Sequence, residues 1–124
     1  MTCFFCCVPA ERVLYEDDLV MVLRDGFPVT PGHSLVVPRR HVQSWFDATE
    51  QEQIQLMRAL SWARGDLQIE LQPDAFNIGI NDGPIAGQSV PHLHIHLIPR
   101  YQGDHNEGRG GVRWIFPDKA SYWD

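Results

Sequence analysis

Between Pro91 and Pro99 the chain reads Pro91-His92-Leu93-His94-Ile95-His96-Leu97-Ile98-Pro99, with histidine and aliphatic residues in alternation. Side chains of a strand point to opposite faces in turn. The run therefore sets His92, His94 and His96 on one face and Leu93, Ile95 and Leu97 on the other. It predicts a strand over His92–Pro99 whose apolar face must be covered by a second layer. Three of the chain's six histidines fall within five residues here. So many imidazoles are costly to bury unpaired, and they make poor core filler. Two chemistries suit them: a metal site built from ring nitrogens, or a nucleophile flanked by hydrogen-bonding partners.

The rest of the chain supplies the layers. Arg12–Tyr15, Leu19–Leu23 and Ser34–Val37 are short runs rich in branched or aromatic residues, which favour strands. Pro31-Gly32 marks a turn ahead of the third run, and Pro38 ends it because proline has no ladder donor. Asp47-Ala48-Thr49-Glu50 has the form of a capping box. Beyond it Leu56, Leu60, Ala63 and Leu67 recur at helical spacing, with Ile54 and Met57 beside them, predicting an amphipathic helix of about 20 residues. Gly65 weakens its second half, and Pro73-Asp74 closes it. Phe76–Asn81 alternates like a half-buried strand, Asp82–Val90 is a Gly- and Pro-rich loop, and Val112–Phe116 predicts a last strand. Several antiparallel strands with one long helix make an α+β chain.

Length and charge narrow the function classes. At 124 residues the chain suits one domain. Ten basic against sixteen acidic side chains give a net charge of −6. That balance argues against a general nucleic-acid coat. No apolar run reaches the ~20 residues of a membrane-spanning helix, and the N-terminus lacks the pattern of a secretory signal. Acidic residues are absent, however, from Gly26–Phe46 and from Gly83–Gly103, which carry Arg39, Arg40, Arg100 and five histidines. If these segments meet in space they form a patch suited to an anion. Gly87-Gln88-Ser89-Val90, just before the histidines, offers glycine and backbone amides for a phosphate, or serves only as a turn. Asp25, ahead of Gly26, suits a turn or a pair of ribose hydroxyls. Cys3, Cys6 and Cys7 crowd the first seven residues. They cannot staple a fold internally, which points to a reducing compartment, the cytoplasm by default, or to a metal.

Taken together, PVTPGHSLVVPRRH over residues 28 to 41 and NDGPIAGQSVPHLHIHLIPRYQGD over residues 81 to 104 resemble the histidine triad (HIT) family of nucleotide hydrolases and transferases. The second segment is most similar to the diadenosine polyphosphate hydrolase branch. The resemblance implies a single HIT domain over 1–124, with an N-terminal cysteine segment at 1–10 and a C-terminal tail at 105–124. It implies a five-stranded antiparallel sheet, one long and one short helix, and a homodimer. His94 would be the nucleophile on an α-phosphorus, with His92, His96, His33 and Ser89 also serving catalysis. Asp25, Asn81, Gly87, Gln88, Ser89 and His96 would bind the nucleotide, and no cofactor is needed for the chemistry. An adenosine phosphoramidase and a non-catalytic nucleotide-binding protein are the alternatives.

Cys3-Phe4-Phe5-Cys6 resembles the Cys-x-x-Cys of bacterial members that hold structural zinc, where the other ligands match His41 and His92. The polyphosphate branch commonly lacks that zinc, and a buried thiol pair is the other reading. Tails of this family often cross to the partner subunit. The resemblance thus implies roles for Trp114 on a base and for Arg109 and Arg113 on distal phosphates.

Overall fold

The computed structural model describes residues 3–123. Its frame is a five-stranded sheet in which every neighbouring pair is antiparallel, ordered β1-β2-β3-β5-β4. The strands are β1 (Val13–Glu16), β2 (Val20–Arg24), β3 (Ser34–Pro38), β4 (Ala75–Gly79) and β5 (Ile95–Arg100). One long helix, α1 (Glu50–Glu70), packs on one face, and a single turn of helix, α2 (Pro117–Ala120), follows near the end. The sheet and helices expected from the sequence are therefore present, as an α+β fold.

α1 begins two residues later than the pattern suggested. Thr49, not Asp47, is the cap: its hydroxyl accepts the Glu52 N–H at 3.0 Å and the Glu52 carboxylate accepts the Thr49 N–H at 2.8 Å. Glu52 is buried, and Arg40 donates to both of its oxygens, at 3.0 and 2.8 Å. Chiefly through that pairing, Arg40 holds this carboxyl below the usual carboxylate range. The buried stripe is Leu56, Ala59, Ala63 and Leu67; Leu60 is only half-buried, while Ile54 and Met57 are exposed. The stripe meets Val20, Val22, Val36, Leu93, Ile95 and Leu97 in one core cluster. Small residues at 59 and 63 let the helix lie close to the sheet.

Two regions differ from their sequence reading. Residues 111–115 form a short 3-10 helix rather than a strand, because Gly110 and Gly111 both have positive φ and break extended geometry before it. Regular pairing on the histidine strand starts only at Ile95. His92 N–H turns back to the Val90 carbonyl at 2.8 Å, and Leu93 N–H goes to the Val42 carbonyl at 2.7 Å. The approach to β5 is thus tied to the loop after β3. The alternation survives nonetheless, since Leu93, Ile95 and Leu97 all lie in the core.

Gly32, at the turn before β3, has φ +86°, and a Cβ there would sit 2.7 Å from Leu67 and 2.8 Å from Leu71. Only glycine lets β3 run beneath the end of α1. No helix of the described residues is long and apolar enough to cross a membrane.

Candidate active site

β3, β5 and the bend before β5 bring the histidines together. His92, His94 and His33 are buried and His96 is half-buried. A chain of hydrogen bonds assigns their protons. Val29 N–H donates to His33 Nδ1 at 3.1 Å, so the His33 proton resides on Nε2. That Nε2–H lies 2.9 Å from His96 Nδ1 and donates to it, leaving the His96 proton on its own Nε2. Asp25 Oδ2 stands 3.5 Å from His33 Nε2, beside the relay. The His94 Nδ1–H donates to the His92 carbonyl at 2.8 Å. The bond leaves the His94 Nε2 lone pair unprotonated and oriented.

Electrostatics reinforce the neutral forms. Burial pushes His96 down to about 4, and its neighbours His94 and His33 push the same way against Asp25. Burial lowers His33 as well. At neutral pH His96 is therefore a neutral hydrogen-bond donor. A stability effect follows. The unfolded chain takes up the His96 proton near its ordinary value of 6.5, and the folded chain only near 4. Stability is thus full above about pH 6.5 and is lost as pH falls toward 4. Urea midpoints measured from pH 7 to pH 4.5 should fall across that window; a flat profile would contradict the assignment.

The loop before β5 differs from its sequence reading. Gln88 is buried, its carbonyl oxygen accepts the Gly83 N–H at 2.8 Å, and its amide donates to the Gln43 and Val90 carbonyls. The amides of Gly87 and Gln88 are spent on the Pro84 and Gly83 carbonyls. Gln88 therefore shapes the loop, while Asn81, Gly87 and Ser89 are exposed at its surface. Gly87 keeps φ +100° beside Asn81. The acid-free segments also lose their net positive character. Arg39 pairs with Glu16, Arg40 with Glu52, and Arg100 with Asp104, holding the last carboxyl down at about 2. An anion at this site meets imidazoles and, in Arg100, a guanidinium already paired with Asp104.

A second constellation lies behind His92. Its Nε2–H donates to the Pro38 carbonyl at 2.8 Å, so Nδ1 presents a lone pair toward Cys3, Cys6 and His41. The Nδ1 atom is 3.5 Å from Cys3 Sγ, 3.6 Å from Cys6 Sγ and 3.2 Å from His41 Nδ1, with Cys6 Sγ 3.2 Å from His41 Nδ1. All four ligand atoms lie within 4.8 Å of one another. A tetrahedral ion with ordinary Zn–N and Zn–S bonds sets its ligand atoms about 3.3 to 3.8 Å apart. The cluster fits a metal of that kind, and its residues are those the Cys-x-x-Cys resemblance implied.

Phe5, between the two cysteines, is a neighbour of the site that the motifs did not single out. Its ring packs at 5.6 Å from His92 and 5.2 Å from His94. A hydrophobic residue bracketed by two ligands was the available signal.

Fold and site together define an α+β protein organised around an imidazole triad. A HIT domain model matches residues 8–103. The chain is 36% identical over 115 residues to the bis(5'-adenosyl)-triphosphatase of Saccharomyces cerevisiae, a match covering 92% of this chain and 53% of the yeast protein. It is 36% identical to "Protein hit" of Bacillus subtilis, over 82% of this chain and 74% of that one. A zinc-bound histidine triad family protein from Mycobacterium smegmatis superposes with a TM-score of 0.77 at 33% identity, covering 86% of this chain and 81% of the other. The chain belongs to the HIT family. It spans about half the length of the yeast relatives it matches.

Proposed function

We propose that the chain is a nucleotidyl hydrolase that cleaves dinucleoside polyphosphates such as diadenosine tetraphosphate at an α-phosphate. The observation that carries the reading is the proton assignment. One imidazole, His94, holds a buried lone pair, and its neighbour His96 is kept neutral as a donor. His94 Nε2 attacks the phosphorus and forms a P–N bond; the bridging P–O bond breaks and the leaving phosphate departs with the electron pair. The His92 carbonyl stabilises the cation that develops on His94. His96 Nε2–H, with Ser89, donates to the non-bridging oxygens, where one such donor typically supplies about 3 kcal/mol. Water then attacks the phosphorus, the P–N bond breaks, and its electron pair returns to Nε2 as the nucleotide leaves. Asp25 would accept ribose hydroxyls, and Asn81 and Gly87 would line the phosphate path, with Gln88 holding their loop.

The Cys3, Cys6, His41 and His92 cluster would hold structural zinc, which supplies tetrahedral cross-linking of the N-terminal segment to the sheet. A homodimer is supported by the edge position of β4, with its exposed Ile78, and by exposed Ile54, Met57, Trp62 and Ile69 on α1. A phosphoramidase is the second reading. It is favoured by the absence of an unpaired arginine among the described residues lining the pocket beside His96.

Rapid quenching into base during turnover of diadenosine tetraphosphate should trap a base-stable nucleotidyl adduct on the peptide containing His94. Multiple turnover without any such adduct would overturn the mechanism. Sedimentation of the same sample at twice the chain mass is the matching result for the dimer.

A further inference from the structure

The cysteine cluster has one side against the core and one at the surface. Cys3 is half-buried, whereas Cys6 and Cys7 are exposed. A cleft of about 370 Å³ opens onto Cys6 and Cys7, lined also by Val8, Val13, Met21 and Arg39. Cys7 lies outside the four converging donors, so Cys6 is the ligand that small molecules in this cleft reach. A sulfur that holds a cation is deprotonated outright. Thiolate character and exposure together select the sulfur that peroxides oxidise, and Cys6 has both in the metal-bound cluster.

Local geometry supplies the second sulfur. Phe4–Cys6 is a single 3-10 turn, closed by the Cys6 N–H donating to the Cys3 carbonyl at 3.1 Å. Such a turn rises about 2.0 Å per residue, so residues three apart are eclipsed with Cα atoms about 6 Å apart. A disulfide spans roughly 4.4–6.8 Å between Cα atoms. Both sulfurs already converge on one atom, with Cys3 Sγ 3.5 Å and Cys6 Sγ 3.6 Å from His92 Nδ1. They also lie within 4.8 Å of each other. Side-chain rotation can therefore close an S–S bond while the backbone turn persists. Phe5, between them, is buried with Met21, Leu23, Leu35 and Val37, and its ring lies 5.6 Å from His92 and 5.2 Å from His94. A change in the turn is thus felt at the histidines.

We propose that Cys3 and Cys6 form a site of reversible oxidation by hydroperoxides, in which a disulfide replaces the two thiolates of the metal cluster. The Cys6 thiolate attacks a peroxide oxygen; an S–O bond forms, the O–O bond breaks, and the departing hydroxide takes up a proton to become water. The Cys3 thiolate then attacks the Cys6 sulfur. The S–S bond forms, the S–O bond breaks, and a second hydroxide leaves and is protonated. Two electrons pass from the sulfur pair to the peroxide, and two protons come from solvent. The disulfide leaves His41 and His92 as the remaining donors, two where a closed tetrahedral site needs four, and the ion is released. The effect reaches the triad through Phe5 and through His92, whose carbonyl takes the His94 Nδ1–H at 2.8 Å. The release step rests on the zinc reading above; the disulfide step does not.

The test titrates the zinc-loaded full chain with hydrogen peroxide. Zinc release is read with a chromogenic chelator, free thiols by alkylation, and the disulfide's position by tandem mass spectrometry of the N-terminal peptide. About one zinc should leave per disulfide formed. Cys3 and Cys6 should both become inert to alkylation, while Cys7 stays reactive. The melting temperature should fall by about 10 °C, toward that of the chelated protein. Turnover of diadenosine tetraphosphate should fall at least about threefold, the cost of a small misplacement of the nucleophile. A dithiol with added zinc should restore both. Cys7→Ser should respond as the wild type does in every readout. Zinc retained through a tenfold excess of peroxide would overturn the proposal, as would zinc lost while Cys3 and Cys6 both remain alkylatable. Protection by Cys7→Ser would move the oxidation to Cys7 and overturn it equally. Unchanged kcat in the oxidised chain would overturn the link to the triad. A chain that takes up no zinc would overturn the metal reading alone; the Cys3–Cys6 disulfide, present or absent in the same spectra, still decides the oxidation site.

Discussion

Replacing His94 with asparagine is expected to lower kcat on diadenosine tetraphosphate by at least about ten-thousand-fold while leaving the fold intact. The size follows from the role: removing the nucleophile of a covalent mechanism costs more than removing any single stabilising donor, leaving only what binding and the remaining donors supply. The fold should survive because the asparagine amide can still donate toward the His92 carbonyl, which takes the His94 Nδ1–H at 2.8 Å. The core behind the triad is made by Leu93, Ile95 and Leu97, whose side chains point the other way. Nucleotide affinity should change less than tenfold, since Asp25 and the loop carry the ribose and phosphate contacts under this reading. Parallel measurement of turnover, melting temperature and AMP affinity separates these roles. Turnover within tenfold of wild type would sink His94 as nucleophile. A variant that is inactive because it is unfolded would show itself in the melting curve. His96→Ala in the same assay should fall by a smaller factor, on the order of a hundredfold or a thousandfold, as for one transition-state donor.

The triad's face was legible from alternation alone, because a period of two admits only one assignment of faces. That His33 joins it was legible only through resemblance. A lone histidine after Pro-Gly carries no periodic signal, and its bond to His96 spans 63 residues. The start of α1 was misplaced because two overlapping cap patterns occur, Asp47 to Glu50 and Thr49 to Glu52. Burial decided between them: Glu52 has a partner in Arg40, ten residues upstream of the first residue of α1. The acid-free segments illustrate the opposite failure. Their arginines looked available in sequence, but all three found carboxylates from elsewhere in the chain, at 2.8 Å in each case. Charge runs along a sequence report local composition, whereas an anion responds to what remains unpaired in space. The tail misled for a conformational reason. Val112–Phe116 has strand-forming residues, but Gly110 and Gly111 impose φ values of +95° and +45° just before it.

Converting Cys3 and Cys6 to serine is expected to lower stability by more than about 4 kcal/mol, since a structural metal contributes its binding energy to folding. For a chain of this size that corresponds to a melting temperature about 10 °C lower or more. The physical reason is visible in the donor set. His92 Nδ1, left unprotonated because its Nε2–H goes to the Pro38 carbonyl, faces His41 Nδ1 at 3.2 Å, and two cysteine sulfurs converge on the same point. With its thiols deprotonated and both ring nitrogens offering lone pairs, such a donor set bonds strongly to a cation. The consequences reach the triad by two routes. His92 supplies the carbonyl that orients His94, and Phe5, held between Cys3 and Cys6, packs on both rings. Loss of the cluster should therefore reduce kcat as well as stability, though far less than loss of His94. Elemental analysis should find about one zinc per chain in the wild type and none in the double variant. Chelation should lower the wild-type melting temperature toward that of the variant and leave the variant's unchanged. Wild-type protein that holds no metal and melts as the variant does would overturn the metal site. A chelator that removed zinc and stopped turnover while His94→Asn remained active would move the chemistry from the imidazole to the metal.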